Sequence, residues 1–316
     1  MVSRRYLRIK VMQEIFAFKA NEKGNLEQAE KKLDHAIQGC YTLFCYFFSL
    51  FPELKRYRLN KLEDLKTKFK PTYDDLHPNR KFVDNLVIDQ IENNITLNRL
   101  WNNLRINWDD QGDFIAQIFQ EIAKEEFYTL YLNDKNSSYI QDQEFLLDVI
   151  ETCFANSELL HWHFQEMNLH WFDDYNEALL MFYKNIKQFK ENKGNENKIF
   201  PLFKNATEDK EFYKNLFQNT LLNDDQYDTI IENKLQNWEL ERLNGIDIIL
   251  MKMAITEFQH FHDIPIKVTI NEYIELAKWY SSNKSGAFIN GLLDQIVLTL
   301  KEEGKITKMG KGLLNN

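Results

Sequence analysis

The chain is poor in residues that break helices: ten glycines and five prolines among 316 residues. So few breakers, and so few hairpin dipeptides, exclude an architecture of short strands and tight turns. They predict long helices joined by short connections. Apolar runs are short as well. None reaches the roughly 18 residues needed to cross a bilayer. The basic start "MVSRRYLRIKVMQEIFAF" is interrupted by Gln13 and Glu14, and no small-residue cleavage site follows it. Cysteine is limited to Cys40, Cys45 and Cys153, an odd number without CxxC spacing, which predicts buried thiols in a reducing compartment. Together these absences predict a soluble, cytoplasmic, all-α protein.

The fingerprints of common chemistries are missing too. There is no GxGxxG, no GxxxxGK loop, no GxSxG and no HExxH. The histidines of "HWH" (His161, His163), His170 and "HFH" (His260, His262) lack the i, i+4 spacing that sets two imidazoles on one helical face. The paired acids Asp109–Asp110, Asp173–Asp174 and Asp224–Asp225 stand beside turns or helix starts, where they serve as caps at the positive end of the helix dipole. No enzyme, no metal and no cofactor is predicted.

Net charge is −9, but it is unevenly spread. Residues 1–19 hold Arg4, Arg5, Arg8, Lys10 and Lys19 against Glu14, a balance of +4, and residues 301–316 carry +2. The body between therefore carries −15. Such a body repels phosphate, so any polyanion is confined to the basic ends.

From Arg4 to Phe18 the apolar residues Leu7, Val11, Ile15 and Phe18 form one stripe of an amphipathic helix, with Arg4, Arg5 and Arg8 mostly off it. Gly24 is a plausible stop. A second helix follows and is expected to end near Pro52, before the basic stretch "ELKRYRLNKLEDLKTKFK" and the turn-rich "PTYDDLHPN". Residues 81–190 are helical in pattern, and "ENKGNENK" (residues 191–198) is the clearest linker candidate. Beyond it, Leu240, Leu243, Ile246, Leu250 and Met253 mark a core helix, in which Gly245 implies that a neighbouring helix or the helix entry needs the space. Asn271 or Thr269 can cap the next helix, and Ser285 the last. Lys284 and the free amides at that last start form a modest anion site. Phe288 serves either as core or as a stacking surface for a base.

These C-terminal residues carry a resemblance. "DIPIKVTINEYIELAKWY" followed by "SGAFINGLLD", with "WELERLNGIDIILMKMAITEF" upstream and "RRYLRIKVMQEIFAF" at the start, resembles the NusB transcription antitermination family in its extended, Bacteroidetes-type form. The motifs cover residues 1–20 and about 208–303. The resemblance implies an all-α, NusB-like helical bundle: an arginine-rich first helix (1–20), a large helical insert of unassigned role (21–207), the main bundle (208–303) and a basic tail (304–316). It implies an RNA-binding antitermination factor. With the ribosomal protein that doubles as NusE, it would grip boxA-like single-stranded ribosomal RNA and join the RNA polymerase antitermination complex. Position by position, Arg4, Arg5, Arg8, Lys252, Lys284 and Phe288 match the RNA-binding residues, and Phe16 and Asp247 match positions near the NusE partner. Lys284 stands where the family is often acidic, a departure that strengthens phosphate contact. One electropositive groove, made by the first helix and the closing hairpin, is expected. The bundle is also similar to the N-terminal domain of ribosomal RNA cytosine methyltransferases, but none of the three cysteines follows a proline as that chemistry requires. The remaining alternative is a helical protein-interaction scaffold with a vestigial RNA surface.

Overall fold

Helix formation begins where the Ser3 hydroxyl accepts the Tyr6 amide hydrogen at 3.1 Å and caps α1 (Arg4–Lys19). The computed structural model describes residues 1–21, 24–235 and 243–313. After α1 come α2 (Leu26–Lys66), α3 (Tyr73–Leu76), α4 (Leu86–Glu92), α5 (Ile95–Leu104), α6 (Gly112–Lys124) and α7 (Glu126–Asn133). Then α8 (Tyr139–Asp148) runs into a π-helical segment, Val149–Phe154, before α9 (Glu158–Met167) and α10 (Trp171–Ile186). The chain closes with α11 (Ala206–Leu222), α12 (Asp224–Glu232), α13 (Gly245–His260), α14 (Ile266–Tyr280) and α15 (Ser285–Glu302). No strand occurs among the described residues, and no described helix is long and apolar enough to cross a membrane.

Two compact units arise: Met1–Val2 with Gln38–Leu202, and Ser3–Ile37 with Phe203–Asn316. The first is built on α2. Phe44, Phe47, Phe48 and Phe51 recur at helical spacing and are fully buried against Phe154, Phe164, Tyr175, Phe182 and Phe189. That packing explains why α2 runs through Pro52 instead of stopping there. A mid-helix proline costs about 3 kcal/mol; burial of several aromatic rings, at roughly 1.5–3 kcal/mol each, outweighs it. The basic stretch is therefore the last part of α2 and the turn after it.

The "ENKGNENK" segment is likewise no linker. It is a 3₁₀ turn, Glu191–Glu196, inside the first unit. The buried Asn197 holds it by accepting from the Lys190 amide and donating to Gln90 Oε1, both at 2.8 Å. Cys40, Cys45 and Cys153 form no disulfide and are buried in this unit.

The second unit is organised around α13, whose residues Ile249 to Phe258 are all buried. A helix buried on every side is the centre of a bundle; α1, α11, α12, α14 and α15 all pack on it. Several local expectations change here. Asn244 caps α13 by accepting from the Ile246 amide, so Leu243 precedes the helix, and Leu240 lies outside the described residues. Nothing approaches within 4 Å of a Cβ placed on Gly245, so close packing does not explain that glycine. α14 begins at Ile266 behind Pro265, and Thr269 is buried inside it, donating to Glu257 Oε2. α1 already ends at Ala20; a Cβ on Gly24 would come 2.8 Å from the Phe18 ring, so its role is to make room for that ring.

Candidate nucleic-acid interface

Every residue matched to RNA or partner binding lies in the second unit, but not in one groove. Asp247, Lys252 and Glu257 follow one another every five residues along α13, so about 15 Å of helix rise separates the first from the last. Each gathers a different set of candidates.

At Glu257 stands α1. Arg8 is only 3% exposed, and its Nε and Nη2 donate to the two Glu257 carboxylate oxygens at 2.6 and 2.9 Å. Glu257 is fully buried and also accepts from Tyr273 Oη at 2.8 Å. Burial acts against the Arg8 charge, but Glu257 outweighs it and holds the guanidinium above its usual pKa. The structure thus corrects the expectation that Arg8 shows its guanidinium to a ligand: it is an internal tie between α1, α13 and α14. Arg5 and Arg4 remain near the surface. Arg5 makes a bidentate pair with Glu272, 2.8 Å on each arm, and lies over the Trp279 ring at 5.5 Å. Arg4 lies over Phe212 with Asp209 4.0 Å away.

Lys252 is 1% exposed, with Asp224 and Asp228 of α12 each accepting at 2.6 Å. Burial lowers its pKa, but these two bonds prevail and leave it raised. Lys19 reaches the same Asp224. Lys252 is therefore an interior cation satisfied by α12, not a free contact for phosphate. The Asp224–Asp225–Asp228 group is the acidic cluster among the described residues that comes near ligand spacing, and these lysines already occupy it.

At Asp247 the α14–α15 corner closes. Ser285 Oγ donates to Asp247 Oδ2 at 2.8 Å, while the hydroxyls of Ser281 and Ser282 lie 3.0 and 2.8 Å from Ser285 Oγ. Asp247 is buried, so it shapes the start of α15 rather than facing outward. Ser285 is the first residue of α15, with Lys284 exposed at the cap position before it. Phe288 is half-buried, which suits a ring with one face packed and an edge open. Phe16 is exposed on α1.

One residue of this surface was missed in the sequence. Trp279 is 57% exposed in the last turn of α14, five residues before Lys284 and under the Arg5 guanidinium. The signal was there: Ile270, Tyr273, Leu276 and Ala277 form the buried stripe of that helix, and Trp279 falls off it. It connects Arg5 to the α14–α15 corner. His161 and His163 serve packing, the first stacked on Tyr175 and the second on Phe114.

The NusB family pattern matches residues 177–298. A transcription antitermination protein NusB of Salinibacter ruber is 43% identical over 105 residues, covering 33% of this chain and 66% of that protein. Its counterpart from Listeria innocua is 38% identical over 104 residues, covering 32% of this chain and 81% of that protein. The chain belongs to the NusB family. It spans half the length of the Chloroherpeton thalassium NusB, at 42% identity. A solved T. maritima NusB shares 27% identity over 49% of this chain and 89% of its own, with a TM-score of 0.28. Beyond the matched residues 177–298, the chain carries a large additional helical region.

The Arg5–Glu272 pair makes stability depend on pH. Hydrogen bonds from Arg5 hold the Glu272 carboxyl below its ordinary value of 4.5, against an opposing push from burial. A carboxyl depressed on folding contributes stability that is present above its unfolded pKa and lost as pH falls through the folded one. Urea midpoints should therefore fall more steeply below pH 4.5 in the wild type than in Arg5→Met, and equal slopes would contradict the pairing.

Proposed function

We propose that this protein is an RNA-binding transcription antitermination factor. With a NusE-type ribosomal protein it holds boxA-like nascent ribosomal RNA and enters the RNA polymerase antitermination complex. The observation that carries this reading is the surface left once the internal pairs are removed. Arg4, Arg5 and Lys284 stay accessible on a chain whose body is acidic, next to the exposed Trp279 and the half-open Phe288. Cations displace counterions from a single strand, and aromatic faces and hydrogen bonds select bases. Three cations alone bind RNA weakly and in a salt-dependent way, so the partner supplies the remaining contact. Phe16 offers it an exposed apolar anchor, and Asp247 acts indirectly by fixing the start of α15. Arg8 and Lys252 hold the helices that display the other groups.

Anisotropy with a labelled boxA-like RNA, with and without NusE, tests this. The triple variant Arg4→Ala/Arg5→Ala/Lys284→Ala should bind at least about tenfold more weakly and show a shallower salt slope. Unchanged affinity at two salt concentrations would overturn the reading. The burial of Arg8 and Lys252 favours the scaffold alternative, which predicts that the chain retains protein partners but neither NusE nor RNA.

A further inference from the structure

The first unit carries none of the candidate RNA residues, yet it has a surface unlike the rest of the chain. Between Lys135 and Lys184 there is no lysine or arginine, while nine aspartates and glutamates occur. Within this acidic span lies the α9–α10 hairpin. Its two helices pack through Phe164, Trp171 and Tyr175, with His161 stacked 3.5 Å from Tyr175. Exposed on the hairpin and its connection are Trp162 at 60%, Leu169 at 79% and Phe172 at 63%, with Met167 also exposed. Exposed acids alternate with them: Glu158 and Glu166 one turn either side of Trp162, and Asp173 beside Phe172.

We infer that this outer face of α9 and α10 is a docking site for a basic amphipathic helix of a protein partner. Such a helix carries apolar anchors along one side and lysine or arginine on its flanks. Two features select that occupant. Large apolar groups gathered within a few turns are uncommon on a monomer and mark interaction surfaces, where Trp, Phe and Met are the enriched anchors. The exposed charges beside these apolar groups on the hairpin, Glu158, Glu166 and Asp173, are all acidic, which repels RNA and anionic lipid surfaces and steers a cationic segment inward. A second copy docking by the same face would set acid against acid, so symmetrical self-association is disfavoured. The platform is also stiff. His163 stacks on Phe114 with centroids 3.9 Å apart, and the Trp171 indole N–H donates to the Gly39 carbonyl at 3.0 Å, so a partner meets a preformed surface.

The test uses the full chain and labelled synthetic peptides of one Leu/Phe/Lys composition. One has apolar residues at i, i+3, i+4 and i+7, a second has that order scrambled, and a third has glutamate in place of lysine. The patterned basic peptide should bind at least about tenfold more tightly than either control. Trp162→Ala and Phe172→Ala, both surface changes, should each weaken it about tenfold with the melting curve unmoved. Equal binding of the scrambled peptide, or no effect of either substitution, overturns the inference. So does a wild-type dimer in sedimentation that Trp162→Ala dissolves, or loss of single-stranded RNA binding in that variant. Because these readouts need no boxA-like RNA, they fail or succeed separately from the antitermination reading.

Discussion

Arg8→Ala should destabilise the second unit by about 3–5 kcal/mol, far more than the loss of one RNA contact would suggest. The reason is what it leaves behind. Glu257 is fully buried, and Arg8 supplies its countercharge through two short hydrogen bonds. Without the guanidinium, the carboxylate stays in the interior with, among the described residues, the hydroxyls of Thr269 and Tyr273 donating to it. An unpaired interior charge is far costlier than a missing pair. Arg8→Met with Glu257→Leu should therefore recover much of the loss, short of wild type because Thr269 and Tyr273 lose their acceptor. Arg8→Lys should fall between, since an ammonium keeps the charge but not the fork that meets both oxygens. Urea unfolding with hydrogen exchange at the α13 amides would measure all four proteins. A near-normal Arg8→Ala protein that merely bound RNA less well would show that the guanidinium acts at the surface.

That contrast shows what the sequence could and could not reveal. Of the stripe Leu7, Val11, Ile15 and Phe18 expected on the inner side of α1, the first three are fully buried and Phe18 is half-buried. Helical class followed from the scarcity of breakers. The role of Arg8 did not, because its partner lies 249 residues away and pairing at that range depends on the fold. A weaker signal was available in α13. Lys252 and Glu257 are the charges within a stretch from Ile248 to Phe258 that is otherwise without ionised groups, and a helix buried all round can keep a charge only by pairing it. Read that way, Lys252 calls for an acid and Glu257 for a base before any coordinates exist. Pro52 misled for the opposite reason: a local rule was overruled by the Phe44–Phe51 packing, which no window around the proline contains. Of the candidate interface, the partly exposed Arg4 and Arg5 and the exposed Lys284 were legible from motif and charge. Trp279 was visible only as a residue off its helix's stripe.

The same packing logic makes Phe47 a sensitive position of the first unit. Its ring is fully buried and meets Phe164 at 5.4 Å, Tyr175 at 5.2 Å and Phe182 at 5.9 Å between centroids. Phe47→Ala should cost about 3–5 kcal/mol, because removal of a ring adds a cavity to the lost transfer energy. Collapse around that cavity is hindered, since the neighbours are rigid rings that already pack on one another. The effect should reach the surface along a definite route. Phe164 belongs to α9 and Tyr175 to α10, so loosening both frees the hairpin that displays Trp162 and Phe172. Hydrogen exchange should accelerate in α9 and α10 beyond the change in α4, and the patterned basic peptide should bind less well although Phe47 never touches it. Phe47→Leu, which refills much of the space, should preserve most of both properties. If exchange rose equally throughout the unit while peptide affinity held, the hairpin would owe its order to something other than the ring of α2 beneath it.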